Sequence, residues 1–251
     1  ARDGTPTDTS KAVPHQLYTN VGLALYYFAS GDQRALDLIE RSVAIRRSAA
    51  RDEQFGGYYH TLNRDLSVRT DRKTKHAHYG YVGSLAHLFL ATRDPSFLEW
   101  EMELMDLSTQ NMIDGELGWI YGYTVPLDRR WQLITAEDPG QVVVGAQLTA
   151  ALAYLRLYHQ SGEDRYLEQG TRLAEVATAR GWDADNGGWY QSVARLAPHT
   201  PGPDPFVHWW IQMYGSFLQL QMYRVTGDPV YLQRFQAMES YFTRFFTDRQ
   251  Y

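Results

Sequence analysis

The sequence predicts an all-α fold: an (α/α)6-type toroid of helix hairpins, with four of the pairs visible in this chain. Three observations carry it. One layout recurs four times, a charge-poor helix alternates with an amphipathic one in each copy, and a similar short turn joins the two. The turns are Gly31-Asp32, Arg93-Asp94, Gly162-Glu163 and Gly227-Asp228. Their acidic residues lie 62, 69 and 65 residues apart, a period that belongs to stacked helix pairs.

The stretch 206–228, FVHWWIQMYGSFLQLQMYRVTGD, sets the pattern. It opens on a polar-aromatic cluster, runs on as a nearly uncharged helix and stops at a Gly-Asp-Pro turn. A helix with so few charges on any face is expected to be enclosed by protein. The corresponding first helices are expected over 16–29, 79–91, 142–159 and 207–225. The second helices, over 33–49, 95–111, 164–179 and 229–247, carry Arg41, Glu101, Arg172 and Arg234 beside an apolar stripe. Pro95 and Pro229 sit where a first helical turn tolerates proline. Buried first helices and half-wet second helices imply an inner and an outer layer.

After each second helix an Asp leads into a glycine–aromatic run: Gly56-Gly57-Tyr58-Tyr59, Leu117-Gly118-Trp119-Ile120-Tyr121 and Gly187-Gly188-Trp189-Tyr190. A fourth run would follow Asp248. These segments are expected to converge on one end of the toroid, beside the N-termini of the inner helices. Free N–H groups and positive potential make that end the expected ligand site. A closed ring of six pairs at this period needs roughly 390 residues, and the chain has 251. The expectation is one α/α-barrel domain over 1–251, incomplete at both ends; the alternative is a compact four-pair array.

Composition narrows the function. The net charge is −5 with no basic block, so neither nucleic acid nor an anionic membrane is an expected partner. No stretch approaches a membrane span, and 1–14 lacks the apolar core of a signal peptide. The compartment stays open, with the cytoplasm as the default expectation. The absence of cysteine excludes disulfides, thiolate metal sites and a Cys nucleophile. Aromatic residues reach 14%, which serves helix packing and also suits a ring-walled sugar pocket.

The order GGYYHTLNRD, ATRDPSFL, EDPGQ, GWDADNGGWY, HWWIQ and YRVTGDPVYL resembles the N-acylglucosamine 2-epimerase superfamily, which includes cellobiose 2-epimerases and aldose–ketose isomerases. The resemblance implies an (α/α)6 barrel, sugar substrates, a possible homodimer, and histidines that remove and return a proton beside the sugar carbonyl. It also exposes departures. The family's Pro-Gly-His with a Glu three residues on reads Pro139-Gly140-Gln141 and Val144 here. Gln takes no proton at neutral pH and Val has no polar atom. The Glu expected four residues after the second Trp is Tyr214. A family histidine falls near His78.

His78 and His208 are the expected catalytic residues, since imidazole titrates near neutrality. His76, Gln141, Trp209, Trp210, Gln212 and Tyr214 are the expected substrate-binding residues, amides and phenol for hydroxyls, rings for sugar faces. Each has a plain alternative: solvated helix starts for His76 and His78, backbone partners for the amides, a core tyrosine for Tyr214. His76 and His78 could supply two metal ligands, but no third lies nearby in sequence, so no metal and no cofactor is expected. His15, His60, His87, His159 and His199 have no supporting context. The partner is a small sugar or oligosaccharide. The leading reading is a sugar epimerase or isomerase. The alternatives are a hydrolase or lyase using carboxylates such as Asp138, and a catalytically altered barrel that binds a saccharide or protein.

Overall fold

The computed structural model describes residues 5–197, 199–204 and 207–248, the side chains at 16, 17 and 80–82 excepted. Phe206 and residues 249–251, at the edges of two expected elements, lie outside the described residues. Two compact units divide the chain. One holds Pro126–Ala136 with the residues up to Met112; the other holds Ile113–Val125 with those from Glu137 on.

In the first unit, β1 (Lys11–Ala12) leads into α1 (Val13–Ser30) and α2 (Gln33–Ala49). Two short strands, β2 (Thr61–Leu62) and β3 (Val68–Thr70), precede α3 (Lys75–Thr92) and α4 (Pro95–Asn111). Each helix pairs with the next in its hairpin, and α1 packs on α3. The strands form an antiparallel sheet in the order β1-β2-β3, with Ala12 opposite Thr61 and Thr61 opposite Thr70. This sheet ties the start of α1 to the segment that enters α3.

The second unit repeats the plan. It runs β4 (Gln141–Val143), α5 (Val144–Ser161), α6 (Asp164–Gly181), β5 (Trp182–Asp183), β6 (Gly188–Trp189), β7 (Ser192–Ala194), α7 (Trp209–Thr226) and α8 (Pro229–Phe245). Here α5 packs on both α6 and α7, and α7 on α8. β4 pairs with β7 and β5 with β6, all antiparallel.

The hairpin turns show why the repeat is so regular. Asp32, Asp94 and Asp228 each cap the following helix by accepting from the backbone N–H two residues on, at 3.0, 2.9 and 2.9 Å. The residue before each cap closes the preceding helix in the left-handed region: Gly31, Gly162 and Gly227 at φ 69°, 74° and 71°, and Arg93 at 61°. A side chain is strained in that conformation and glycine is not. Arg93→Gly is therefore expected to stabilise the protein by about 0.5–1 kcal/mol; urea unfolding of the two forms checks it.

The small strands were not expected, and their cause is also repeated. Asp52, Asp114 and Asp183 each accept from the N–H groups two and three residues on. Gly56, Gly118 and Gly187 then turn the chain back, each donating its N–H to the carbonyl of its Asp, at φ 72°, 74° and 77°. The glycine–aromatic runs are thus tight hairpins rather than open loops. The core is richest around α5, which is buried along most of its length. By contrast α7, expected to be enclosed, buries only Ile211, Gln212, Gly215, Leu218, Gln219 and Met222. Trp209, Met213, Tyr214 and Phe217 stay exposed, because no described element covers that face.

Candidate functional site

The fourth residue of α3, of α5 and of α7 grips the glycine–aromatic run before it. In the first unit His78 Nε2 accepts from the Tyr58 N–H at 3.1 Å, while its Nδ1 faces the Thr74 carbonyl at 2.8 Å. In the second unit Gln147 Oε1 accepts from the Ile120 N–H and Gln212 Oε1 from the Trp189 N–H, both at 2.9 Å. Their amide groups donate back, Gln147 to the Gly118 carbonyl and Gln212 to the Trp189 carbonyl, at 2.9 and 2.7 Å. The three donors hold one register, six residues after Asp52, Asp114 and Asp183. His78 and both amides are fully buried. These contacts make His78, Gln147 and Gln212 a repeated structural clamp on the backbone. Burial, above all, holds the His78 imidazole down to about 4, so the ring is neutral and both nitrogens are spent on backbone. A Cβ at Gly57 would lie 2.5 Å from His78 Nε2 and 2.8 Å from the Trp131 ring, so the clamp needs glycine there.

Around the start of α3 the first unit collects bases. Lys75 is buried and stands with its Nζ 5.5 Å from the Tyr79 ring centre. His76 beside it is reached by water yet lined by protein, and its ring centre is 6.5 Å from that of His60. Burial, then Lys75, His60 and His15, push His76 down to about 4. Burial and then His15 lower His60, and burial lowers Lys75 to about 7. Nearby, Asp52 is wholly buried between Lys73 and Arg129, with contacts of 2.9 and 3.0 Å. Burial favours its protonated form, but the hydrogen bonds from Arg129 and Lys73 outweigh it and hold the carboxyl well below the usual range. Trp131 Nε1 donates to the Phe55 carbonyl at 2.8 Å, and its ring centre is 5.0 Å from that of His78. A cleft of about 440 Å³ beside these groups is lined by residues such as Phe55, Arg72, Asp128, Arg129 and Arg130.

The second unit has its own polar end. Gln141 is half-buried, and its Oε1 accepts from Ser192 Oγ at 3.2 Å. Arg195 Nη2 donates to Asp138 Oδ2 at 2.7 Å, and its Nη1 reaches the Tyr121 hydroxyl at 3.4 Å. That hydroxyl bonds Asp114; burial first, then Asp114, raise it to about 12. Asp138, weighed as a hydrolytic carboxylate, is thereby committed to a guanidinium. His208 is exposed at the N-cap of α7, its Nδ1 3.3 Å from both Gln191 Nε2 and Trp210 Nε1. Trp210 packs on α5, where a Cβ at Gly145 would lie 2.3 Å from its ring. Trp209 and Tyr214 are 59% and 46% exposed, so these rings are the ones free to meet a ligand. Tyr214 also contacts Trp210 edge-on at 6.3 Å, as one helical turn requires.

His60 and His15 escaped the sequence reading because the β1–β2 pairing is what brings their segments together. The available signal was their register: His15 and His76 both lie in the first turn of an inner helix, and His60 directly follows a glycine–aromatic run. Arg195 carries no comparable signal, being 57 residues from Asp138. Among the described residues no group of three or more His, Cys, Asp or Glu is placed to hold a metal ion, and no helix is long and apolar enough to cross a membrane.

Repeated helix hairpins, with polar groups gathered at the starts of their inner helices, define an all-α protein of the (α/α)6 class. The chain belongs to the N-acylglucosamine 2-epimerase (GlcNAc 2-epimerase) family, whose model matches residues 2–251. It is 23% identical over 203 residues to a D-mannose isomerase of Marinomonas mediterranea, covering 74% of this chain and 48% of that protein. It is also 23% identical to a cellobiose 2-epimerase of Bacteroides fragilis, over 98% of this chain and 63% of that protein. The solved cellobiose 2-epimerase of Bacillus thermoamylovorans shares the fold, with a TM-score of 0.85 at 16% identity over 99% of this chain and 64% of that one. The chain thus spans about half to two-thirds of the length of these relatives.

Proposed function

We propose that this chain acts on a sugar as an epimerase or isomerase, moving a proton at the carbon beside a carbonyl without a cofactor, in an aromatic-lined cavity. Family membership supports a sugar as the substrate. The observation that supports the chemistry is the water-accessible imidazole of His76 at the start of α3, a residue type able to accept a proton. As the enediolate forms, its negative charge favours the imidazolium and offsets the neighbouring bases that oppose it. His208, exposed at the N-cap of α7, is the second acid/base candidate. Within the second unit, Trp209 and Tyr214 carry rings suited to a sugar's C–H faces, and the Gln141 amide carries a donor and an acceptor suited to hydroxyls.

Incubating the intact protein with mannose, glucose and cellobiose in D2O tests this. The expected result is deuterium at C2 of at least one sugar, read by NMR, together with an epimer or ketose. Sugar binding without exchange would favour the altered barrel to which Gln141, Val144 and Tyr214 point. Release of new reducing ends would favour hydrolysis, a chemistry for which Asp138, held by Arg195, is poorly free.

A further inference from the structure

We propose that the cleft beside Asp52 is an accessory saccharide site, which holds a neutral sugar residue apart from the imidazoles of the proton-transfer step. The inference rests on the sugar reading above and adds a second place where the first unit takes a saccharide. At about 440 Å³ the cleft is large enough for a small ligand, and every residue that lines it belongs to the first unit. Its walls are fixed from behind. Asp52, whose side chain has no exposed surface, accepts from Arg129 Nε and Nη2 at 3.0 Å each, and so sets the plane of a guanidinium on a side chain that is still 38% exposed. Asp128 Oδ1 caps its own turn, accepting from the N–H groups of Arg130 and Gln132 at 2.7 and 2.8 Å. Trp131, between those two at φ 67°, donates from Nε1 to the Phe55 carbonyl at 2.8 Å. The turn 128–132 is thereby pinned to the hairpin that Asp52 opens. The Arg129 and Arg130 guanidinium carbons stand 5.3 and 5.5 Å from the Phe55 ring centre.

The lining decides what fits. The guanidiniums of Arg72, Arg129 and Arg130 and the carboxylates of Asp71 and Asp128 line one cleft. With Asp52 behind Arg129 these charges balance, so the cleft holds no surplus for an anion or for a cation. What it holds is donors and acceptors side by side. A guanidinium only donates and a carboxylate only accepts, whereas a sugar hydroxyl does both. Either group alone leaves a hydroxyl half satisfied, and the two together satisfy it. Asp128 Oδ2 makes no hydrogen bond among the described residues, and Asp71 and Arg130 are exposed, so these groups are open to a ligand. Phe55, half-buried, supplies apolar surface for the sugar's C–H groups. A wall held in place before binding loses little freedom when the ligand arrives.

The Trp131 indole N–H, bonded to the Phe55 carbonyl, reports on this wall by NMR. Titration of the intact protein with cellobiose, at low and at high salt, is the test. Cellobiose is expected to move the Trp131 signal, with an affinity that salt changes by less than about twofold, since the ligand carries no charge. Arg130→Met and Asp71→Asn should each weaken cellobiose about tenfold, the loss of one hydrogen bond to a charged group, while the circular dichroism stays that of the parent. Both variants should keep the rate of C2 exchange at saturating sugar within about twofold of the parent. A Trp131 signal that cellobiose leaves unmoved, or folded variants with unchanged affinity, would overturn the proposal. Displacement of cellobiose by inorganic phosphate, with an affinity that falls steeply with salt, would overturn the neutral-sugar assignment. Loss of C2 exchange at saturating sugar in both variants would overturn the separation of this cleft from the reacting groups. C2 exchange with no cellobiose response at Trp131 sinks this inference alone. A Trp131 response without exchange of any sugar sinks the proton-transfer reading and leaves the cleft site standing.

Discussion

Asp52→Ala is expected to lower the stability of the fold by about 3–5 kcal/mol, among the largest effects of any single substitution in the first unit. The Asp52 and Lys73 side chains have no exposed surface, and they meet at 2.9 Å. Lys73 Nζ also reaches the Gly56 carbonyl at 2.5 Å, and Arg129 closes the triad with two contacts of 3.0 Å. Removing the carboxylate strands a buried ammonium and frees the N–H groups of Gln54 and Phe55 that it caps. Lys73→Met removes the buried ammonium and should cost less, because Arg129 still pairs with Asp52. Urea unfolding at neutral pH separates the two. The carboxyl's proton affinity is depressed in the fold, so its stabilisation is complete above the ordinary carboxylate range near 4 and is lost as pH falls below it. Parent stability should therefore drop on acidification, and Asp52→Ala should show a shallower drop. Equal slopes would contradict the assignment.

The second large effect is expected at His78. His78→Ala removes a buried ring, leaves the Tyr58 N–H and Thr74 carbonyl without a side-chain partner, and opens a void beside Trp131. The loss should be about 3 kcal/mol. His78→Gln supplies the residue that serves the same position as Gln147 and Gln212, and is expected to cost about 1 kcal/mol or less. A proton-transfer role for His78 predicts the reverse for activity: both variants would lose about 100-fold or more in rate. The clamp predicts that His78→Gln stays within about tenfold of the parent.

The helices were legible because the repeat imposes itself on the sequence: uncharged runs, Asp caps and left-handed glycine ends recur at a fixed period. Arg93 in place of glycine did not hide its turn, since Asp94-Pro95 still signals a helix start. The hairpins after each outer helix were legible only in part. The Asp and the glycines stand out, but the small ladders such as Trp182 opposite Trp189 depend on backbone geometry that no side-chain pattern announces. The site was read least well. Aligning the copies on their turns sets His78 level with Gln147 and Gln212, which marks it as a clamp, yet an imidazole near the start of a helix draws a catalytic reading. The Trp209-Trp210 pair divides as adjacent helical residues must, Trp210 inward on Gly145 and Trp209 outward. His15 and His60 are brought near each other by a strand pairing between residues about 50 apart, so only their register in the repeat hints at it in the sequence.

The most direct measurement is C2 deuterium uptake by mannose, glucose and cellobiose on the intact protein and on its His76→Gln, His208→Gln and His78→Gln forms. The account predicts uptake by the parent, a fall of about 100-fold or more in the His76 and His208 forms, and retention within about tenfold in the His78 form. Uptake that survives the loss of both His76 and His208, or that vanishes with a folded His78→Gln, would contradict it.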